Sequence, residues 1–343
     1  MTQRLVILGA TGLVGRTLLT LLEERRFPAA SVRLLATEGG GRAGSFRGRS
    51  IPVEPVSPEA FEDVDLALFA CANEVSQAWV EVARERRVRV VDHSSAFRYE
   101  AEVPLVVPEV NGELLESRPW LVANPNCSTI AIAMALAPLA RAAGIERVQI
   151  ATYQSVSGAG ALGLAELESG VRAGLESDPP PRAGGAPPFA FNVVPHIDRF
   201  EDNGYTREEM KVVWETRKIL ALPDLPVAVT AARVPVRVGH AAAVAVTLQA
   251  ALSPARAREL WAAFPGIEVV DDPASGRYPT PLLAAGRDAV LVGRARVDLT
   301  HPRGLCFWVA SDNLRKGAAT NAIQIAERLA EAEVAAGRAG RRA

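Results

Sequence analysis

The chain has 343 residues, 49% hydrophobic and 22% charged, which is too long for one ordinary hydrophobic core, so we expect two domains. Its 38 basic and 39 acidic residues leave a net charge of −1, which argues against a nucleic-acid-binding protein. Three cysteines and four histidines, without a Cys-x-x-Cys pair, offer no structural zinc site and no disulfide framework. The short apolar start is not a signal peptide, and we expect a cytoplasmic protein with no membrane partner.

The N-terminal part alternates apolar runs of strand length with helical patterns. Residues 4–8 predict a first strand, which a glycine-rich turn and a helix over residues 16–26 follow at once. Further strands are predicted at 32–36, 66–70 and 88–91, the last after a charged helix at 78–87. This order predicts an α/β domain with a Rossmann-like parallel sheet and right-handed crossovers.

The pattern changes near residue 145, where longer and more alternating strands are predicted at 148–156, 228–236 and 243–250. Proline and glycine predict a loop over residues 178–188, a helix is expected over 312–335, and the basic tail 337–343 is expected to fray. We therefore expect an inserted α+β domain with a mixed sheet at residues 127–314. Residues 1–126 and 315–343 would form the dinucleotide-binding domain, to which the C-terminal helix returns.

The glycine turn over residues 9–15 has the spacing G-x-x-G-x-x-G. Gly9 allows a tight turn, Gly12 lets the backbone approach a pyrophosphate, and Gly15 lets the helix pack on the strand. The amide groups at the helix start would hold the phosphates, so the turn predicts a dinucleotide site.

Cys127 stands in Ala-Asn-Pro-Asn-Cys-Ser-Thr-Ile, at the start of a helix predicted over residues 128–139. A thiol at a helix N-terminus is more acidic and more nucleophilic than a free one, so Cys127 is a candidate nucleophile. Cys71 and Cys306 lack such surroundings, and we interpret them as buried cysteines with a packing role only.

Several segments together carry a family resemblance: residues 9–15, 91–111, 124–129, 153–160, 192–218, 233–240 and 311–327. In this order, and over nearly the whole chain, they resemble the bacterial branch of the aspartate-semialdehyde dehydrogenases. The resemblance implies a reversible phosphorylating oxidation of L-aspartate 4-semialdehyde to L-4-aspartyl phosphate, run reductively in the biosynthesis of lysine, threonine and methionine. It also implies inorganic phosphate as co-substrate and a homodimer built through the inserted domain, which would serve catalysis and dimerisation. We expect no metal, because the few cysteines and histidines offer no site for one.

The resemblance also assigns roles to single residues. It implies Cys127 as the nucleophile that forms a thioester, His240 as the acid and base that takes the thiol proton, and Gln154 as the residue that orients the substrate. The implied substrate and phosphate contacts are Arg233 for the α-carboxylate, Glu208 for the amino group, and Arg98, Lys211 and Asn126 for phosphate. The implied cofactor contacts are Gly9, Thr11, Gly12, Leu13, Val14, Gly15, Ser157, Gly158 and Asn313.

The residue types agree with these roles. An arginine offers a planar fork for a carboxylate, and a glutamate can hold an ammonium group. Glu208 and Lys211 are three residues apart in a helix predicted over residues 206–220, so their side chains share one face of that helix. Without the resemblance, the same two residues could equally be interpreted as a solvated ion pair on a surface helix.

The cofactor specificity is left open by a departure from the family pattern at the end of the second strand. The family commonly has a hydroxyl residue followed by an arginine for the adenosine 2′-phosphate, whereas this chain has Thr37 and Glu38, with Arg42 farther on. An acid at this place binds a free ribose diol. NADP is the cofactor that the resemblance implies, and NAD remains an alternative.

Two alternative functions remain at this stage. An N-acetyl-glutamyl-phosphate reductase shares the domain plan and the thioester chemistry, but its acylated substrate has no free ammonium group for Glu208 to hold. A catalytically silent homologue that acts as a binding protein would have no reason to keep Cys127, Gln154, Arg233 and His240 together. His93, where the family usually has asparagine, is interpreted as a structural histidine.

Overall fold

The structure is a computed structural model that describes residues 2–38, 41–177 and 183–339. The chain divides into two compact units, one made of the residues up to Pro125 and those from Ala318 on, the other of Asn126–Gly317. The predicted domain boundaries, at residues 126–127 and 314–315, stay a prediction.

The elements follow one another along both units. Up to residue 125 they are β1 (Gln3–Leu8), α1 (Leu13–Glu24), β2 (Ala29–Ala36), β3 (Ala43–Phe46), β4 (Arg49–Pro55), β5 (Leu66–Phe69), α2 (Asn73–Glu85), β6 (Arg89–Asp92), α3 (Pro108–Asn111) and β7 (Leu121–Ala123). From residue 126 they are α4 (Cys127–Ala143), β8 (Ile145–Gln154), α5 (Gly160–Gly174), α6 (Arg207–Ile219), β9 (Val227–Arg233), β10 (His240–Leu248), α7 (Pro254–Ala262), β11 (Ile267–Val269), α8 (Pro281–Ala284), β12 (Val290–Val297), β13 (Gly304–Ser311) and finally α9 (Thr320–Ala339).

The first unit is built on a seven-stranded sheet in the order β3-β4-β2-β1-β5-β6-β7. All neighbours are parallel except β3 and β4, and strands that alternate with helices produce this arrangement. Its core joins apolar side chains of β1, α1 and α9, among them Leu5, Leu18 and Ile323, all almost fully buried. The predicted Rossmann-like parallel sheet is confirmed.

The second unit holds a six-stranded sheet in the order β11-β12-β13-β10-β8-β9. The pairs β11–β12 and β8–β9 are parallel and the others antiparallel, which confirms the predicted mixed sheet. Helix α4 is apolar nearly all round and almost completely buried, and the indole nitrogen of Trp261 in α7 donates to the Ala135 carbonyl at 2.8 Å. That hydrogen bond joins α7 to the helix on which Cys127 lies.

Some details differ from the sequence expectations. The strand predicted over residues 148–156 is β8, Ile145–Gln154, and Val156–Ala159 form a 3₁₀ turn. The helix predicted from residue 312 begins with a π-helical turn, Arg315–Ala319, where the Gly317 N–H donates to the Asp312 carbonyl five residues earlier at 2.9 Å. The predicted frayed tail is helical as far as Ala339, and residues 340–343 lie outside the described part. Of the predicted loop, residues 178–182 are also outside the described part, while Ala183–Gly185 form a short 3₁₀ turn.

Among the helices described, none is both long and apolar enough to cross a membrane.

Candidate active site

The second unit brings Cys127 and His240 together although they are 113 residues apart. Cys127 is the first residue of α4, and the Asn126 side chain caps this helix by accepting the Ser128 amide at 2.9 Å. His240 is the first residue of β10, and its Nε2 lies 3.3 Å from the Cys127 sulfur. A half-buried thiol therefore meets an imidazole at a helix N-terminus, an arrangement suited to nucleophilic catalysis.

The other ring nitrogen of His240 is held by Ser155. The Ser155 amide donates to Nδ1 at 3.0 Å, and the Ser155 hydroxyl also lies 3.0 Å from Nδ1. Burial, followed by the Arg233 guanidinium, lowers the pKa of His240 well below its usual value, against a smaller effect of the Gly239 backbone. The buried ring is therefore neutral near pH 7.

The Glu208 carboxylate joins three other predicted site residues. It is buried on α6, where Oε1 accepts from Asn126 Nδ2 at 2.9 Å and from Gln154 Nε2 at 3.2 Å. Its Oε2 lies 3.3 Å from the Lys211 ammonium, which also pairs with Asp198 at 2.7 Å. Glu208 and Lys211 are thus part of a connected polar network rather than an isolated surface pair.

Helix α6 is placed by a capping box. Thr206 and Glu209 exchange hydrogen bonds at its start, and the second oxygen of Glu209 accepts the Ala231 amide of β9 at 2.9 Å. Because α6 is fixed to β9 in this way, its inward face carries Glu208 and, two turns later, Glu215.

Glu215 is a site residue that the sequence analysis missed. Its fully buried carboxylate accepts the backbone N–H of Asn126 at 2.6 Å, one residue before the nucleophile. The seven-residue spacing from Glu208, which places both acids on the inward face of α6, was the available signal. Glu215 thus fixes the chain where α4 begins.

We expect Glu215→Ala to lower the free energy of unfolding by about 1–3 kcal/mol, because it leaves the buried Asn126 amide without this acceptor. The same change should reduce kcat, since Cys127 loses a fixed position. Urea titration with parallel assays measures both effects, and Glu268→Ala at an exposed ion pair is the matched control. Equal stability of the two variants would refute this role for Glu215.

Arg233 lies at the end of β9, close to Ser155 and His240. Its Nη1 donates to the Ser155 carbonyl at 2.8 Å, and the side chain is buried. A Cβ on Gly158 would come within 2.7 Å of Arg233 Nη1 and 3.4 Å of His240 Nε2. Glycine at position 158 therefore makes room for both side chains.

Ser157 and Asn313 also hydrogen-bond to each other in this unit, with Asn313 Nδ2 donating to Ser157 Oγ at 2.9 Å. The predicted site residues that the second unit assembles in these contacts are Asn126, Cys127, Gln154, Ser157, Gly158, Glu208, Lys211, Arg233, His240 and Asn313.

The glycine turn of the first unit has the geometry of a phosphate cradle. Gly9 has a φ of 87°, and a Cβ there would lie 2.2 Å from the Ala70 carbonyl oxygen; one on Gly15 would lie 2.3 Å from Gly9 O. A Cβ on Gly12 would make only an ordinary 3.4 Å contact with Gly9 O, so packing does not demand glycine there. The close approach of a ligand to the backbone is the better explanation for glycine at position 12.

Helix α1 starts directly after this turn, and within the described residues no side chain caps its first N–H groups. Its amides and positive dipole end therefore suit the phosphates of a dinucleotide. Thr11, Leu13 and Val14 belong to this turn and helix start, while Thr37 and Glu38 directly follow β2 and are exposed. The residues present fit a nicotinamide dinucleotide.

Arg98, also in the first unit, is buried rather than an ordinary surface arginine, and it donates to the His93 carbonyl at 2.6 Å. Burial, with the Arg98 guanidinium as the second cause, lowers the pKa of His93 from 6.5 to about 3. His93 therefore stays neutral at physiological pH.

The free energy of unfolding at acidic pH should depend on the titration of His93. An unfolded histidine titrates near 6.5, so between about pH 3 and 6.5 the unfolded state binds more protons at this residue, and the unfolding free energy rises with pH. We expect His93→Asn to flatten this rise by up to about 1.4 kcal/mol per pH unit. Urea titrations of both proteins between about pH 4 and pH 7 measure the slopes, and parallel slopes would contradict the prediction.

The other two cysteines are chemically different from Cys127. Burial, and then the nearby Asp92 carboxylate, raise the pKa of Cys71 to about 12, and burial also raises the pKa of Cys306. Both remain thiols near neutral pH and should react slowly with alkylating agents. Across the described residues, no group of three or more His, Cys, Asp or Glu side chains could hold a metal ion.

Known families match most of the chain. The model described as "Semialdehyde dehydrogenase, NAD binding domain" matches residues 4–118, and "Semialdehyde dehydrogenase, dimerisation domain" matches residues 136–316. The aspartate-semialdehyde dehydrogenase of Aquifex aeolicus is 45% identical over 334 residues, which cover 96% of this chain and 98% of that protein.

Solved structures of aspartate-semialdehyde dehydrogenases have the same fold as this chain. Aspartate semialdehyde dehydrogenase II of Vibrio cholerae complexed with ASA has a TM-score of 0.93 at 44% identity, covering 96% of this chain and 99% of that one. Aspartate semialdehyde dehydrogenase of Candida albicans with NADP has a TM-score of 0.76 at 25% identity, covering 97% and 100%. These similarities confirm the resemblance found in the sequence and do not favour the reductase alternative. The chain belongs to the semialdehyde dehydrogenase family of oxidoreductases, with the aspartate-semialdehyde dehydrogenases as its relatives.

Proposed function

We propose that this protein catalyses the reversible phosphorylating oxidation of L-aspartate 4-semialdehyde to L-4-aspartyl phosphate, and that in the cell it runs the reductive direction. The observation that carries the proposal is the 3.3 Å contact between Cys127 Sγ and His240 Nε2 at the start of α4, within a chain of this family. Relatives named aspartate-semialdehyde dehydrogenase over nearly the whole chain support the choice of substrate.

The amino-acid end of the substrate would be held by two buried charges. The Arg233 guanidinium donates through Nη1 to the Ser155 carbonyl, and we assign its planar fork to the α-carboxylate, whose shape it matches. Glu208 supplies the anion for the ammonium group, and the amides of Asn126 and Gln154 hold that carboxylate in place. Gln154 thereby orients the substrate indirectly, beside Cys127.

The covalent chemistry follows from the thiol. The Cys127 thiolate attacks the aldehyde carbon, a C–S bond forms, and the carbonyl oxygen takes the electron pair. The oxygen then re-forms the C=O bond while the C–H bond breaks and hydride leaves, so that a thioester remains on Cys127. A nicotinamide dinucleotide, when bound at the glycine turn, would supply the acceptor for this hydride. A phosphate oxygen then attacks the thioester carbon, the C–S bond breaks, and the thiolate is restored. Arg98, Lys211 and Asn126 are the residues that we assign to phosphate.

The protein would work as a homodimer in the cytoplasm. The match to a family dimerisation domain over residues 136–316 supports the dimer. The cytoplasm is proposed because amino-acid biosynthesis with a nicotinamide cofactor takes place there, and because a reactive cysteine needs a reducing compartment.

We further propose NADP as the preferred cofactor, supported by the Candida albicans relative whose structure contains NADP. Glu38 after β2 works against a strong preference, because a carboxylate repels a 2′-phosphate and accepts a ribose diol. We therefore expect a kcat/KM for NADP that exceeds that for NAD by only about tenfold, or 1.4 kcal/mol.

One assay tests both proposals. Reduction of NADP and of NAD by L-aspartate 4-semialdehyde is followed at 340 nm with and without inorganic phosphate, and N-acetyl-glutamate semialdehyde serves as the control substrate. Activity that needs phosphate and is specific for the aspartate compound supports the function. Turnover of the acetylated compound alone would overturn it, and a higher kcat/KM for NAD would overturn the cofactor assignment.

A further inference from the structure

A cavity of about 470 Å³ lies at the amino-terminal edge of the parallel sheet in the first unit. Its lining residues stand at or just before the starts of β1, β5, β6 and β7 and at the end of α2. The glycine turn follows β1 at the opposite, carboxyl-terminal edge, where α/β sheets bind their nucleotides. The cavity is therefore separate from the dinucleotide site, and its volume falls within the range of about 300–1,000 Å³ that small-molecule sites have.

The lining of this cavity is strongly basic. It contains four arginines, Arg84, Arg87, Arg89 and Arg118. Among the described residues that line it, the only acidic one is Asp65, whose carboxylate already pairs with Arg4 at 2.9 Å, outside the lining. Four guanidiniums against one carboxylate leave an excess of three positive charges, in a chain whose net charge is −1. Positive charge is thus concentrated at this one concave place.

The interaction of basic residues with a helix end explains only part of this cluster. Arg84 is in the last turn of α2, where a positive charge is favoured, and its guanidinium lies 5.0 Å from the centre of the Trp120 ring and 3.4 Å from Glu81. Arg89 is the first residue of β6 and is half-buried. A helix dipole gives no reason for an arginine there.

Arg89 and Arg118 repel each other across the cavity. Burial, and then the Arg118 guanidinium, lower the pKa of Arg89, although an arginine stays charged at physiological pH. Two like charges at a partly buried place destabilise the empty cavity. An anion bound between them would replace this repulsion by attraction.

We propose that the cavity binds a small polyanion whose negative charges stand on neighbouring phosphate or carboxylate groups. A guanidinium matches the paired oxygens of either group, and several guanidiniums around one cavity match several such groups on one molecule. A nucleic-acid backbone would instead need a basic surface that continues beyond one cavity, in a chain with an excess of basic residues. This binding is independent of the dehydrogenase activity proposed above.

Isothermal titration calorimetry of the full-length protein with inorganic tripolyphosphate tests the proposal, with orthophosphate and citrate for comparison. We expect tripolyphosphate to bind at least about tenfold more tightly than orthophosphate, and more weakly as the ionic strength rises. Citrate that binds more tightly than tripolyphosphate would support the site and assign it to carboxylates. Equal affinities for tripolyphosphate and orthophosphate would overturn the proposal, as would a single-stranded RNA that binds the same arginines more tightly than tripolyphosphate does.

Two glycine variants locate the binding without disturbing the fold. Arg87 and Arg118 have φ angles of 60° and 54°, in the left-handed region that glycine adopts more easily than arginine. Arg87→Gly and Arg118→Gly therefore remove a guanidinium and keep the backbone conformation, and each should weaken tripolyphosphate binding about tenfold or more.

The matched control is Arg26→Gly. Arg26 also has a left-handed φ, of 52°, and it is exposed just after α1 in the same unit, but it does not line the cavity. This variant should bind tripolyphosphate as the wild type does. One affinity shared by all three variants would place the binding elsewhere and refute the proposal.

The half-buried indole of Trp120 gives a second, local readout. Tripolyphosphate should change the tryptophan fluorescence of the wild type and leave that of Trp120→Phe unchanged, while calorimetry shows similar binding by both proteins. The same fluorescence change in both would count against this cavity. Neither measurement needs turnover, so a failure of the dehydrogenase assay and a failure of polyanion binding are separate results.

Discussion

Replacing Cys127 by serine is expected to lower kcat about 10³-fold or more, because the reaction loses its nucleophile. The half-buried sulfur lies at the start of α4 and 3.3 Å from His240 Nε2, and a helix N-terminus and a neighbouring imidazole both activate a cysteine as a nucleophile. A serine hydroxyl at the same place stays protonated near neutral pH and is a poor nucleophile. The phosphate-dependent assay measures the loss, and mass spectrometry of the trapped thioester should find the acyl group on Cys127 in the wild type alone.

The control for this prediction is Cys306→Ser, a change of the same size on β13 of the same unit. Burial raises the pKa of the Cys306 thiol, so it should contribute no nucleophile, and this variant should keep the wild-type rate. Iodoacetamide should inactivate the wild type and Cys306→Ser at equal rates. Near-normal turnover by Cys127→Ser would refute the thioester mechanism.

The sequence predicted the elements whose hydrophobic pattern is local. Residues 4–8 and 32–36 fall within β1 and β2, and the glycine turn between β1 and α1 has the conformations that its spacing requires. Strands such as β7, with three residues, were not predicted because so short a segment carries no measurable periodicity. The π-helical turn before α9 was missed because such turns are rare and residue propensity gives no signal for them.

The sequence indicated individual residues of the candidate site, but it did not indicate the hydrogen bonds that connect them. Cys127, Gln154 and His240 were found because each stands in a recognisable segment. Ser155 and Glu215 act through hydrogen bonds to residues 85 and 89 positions away, which only the assembled sheet and helices bring into contact. Family resemblance supplies roles for residues that touch substrate, whereas residues that hold those residues in place appear only in the folded chain.

We expect Arg233→Lys to raise KM for L-aspartate 4-semialdehyde about 100-fold with a smaller change in kcat, because binding of the α-carboxylate precedes the chemical step. The buried guanidinium donates to the Ser155 carbonyl at 2.8 Å, and its planar shape matches the two oxygens of a carboxylate. A lysine ammonium is a point charge that cannot satisfy both acceptors in that geometry.

Steady-state kinetics of Arg233→Lys should be compared with those of Arg237→Lys, whose side chain is largely exposed and pairs with Glu168 at 2.9 Å. The Arg237 variant should match the wild type, since exposed ion pairs contribute little. Because Arg233 also lowers the pKa of His240 and is fixed to Ser155, a fall in kcat with unchanged KM would mean that its main task is to position the Ser155–His240 pair. That result would contradict its assignment to the carboxylate, and it would leave the buried fork of Arg233 as part of the support for the catalytic imidazole.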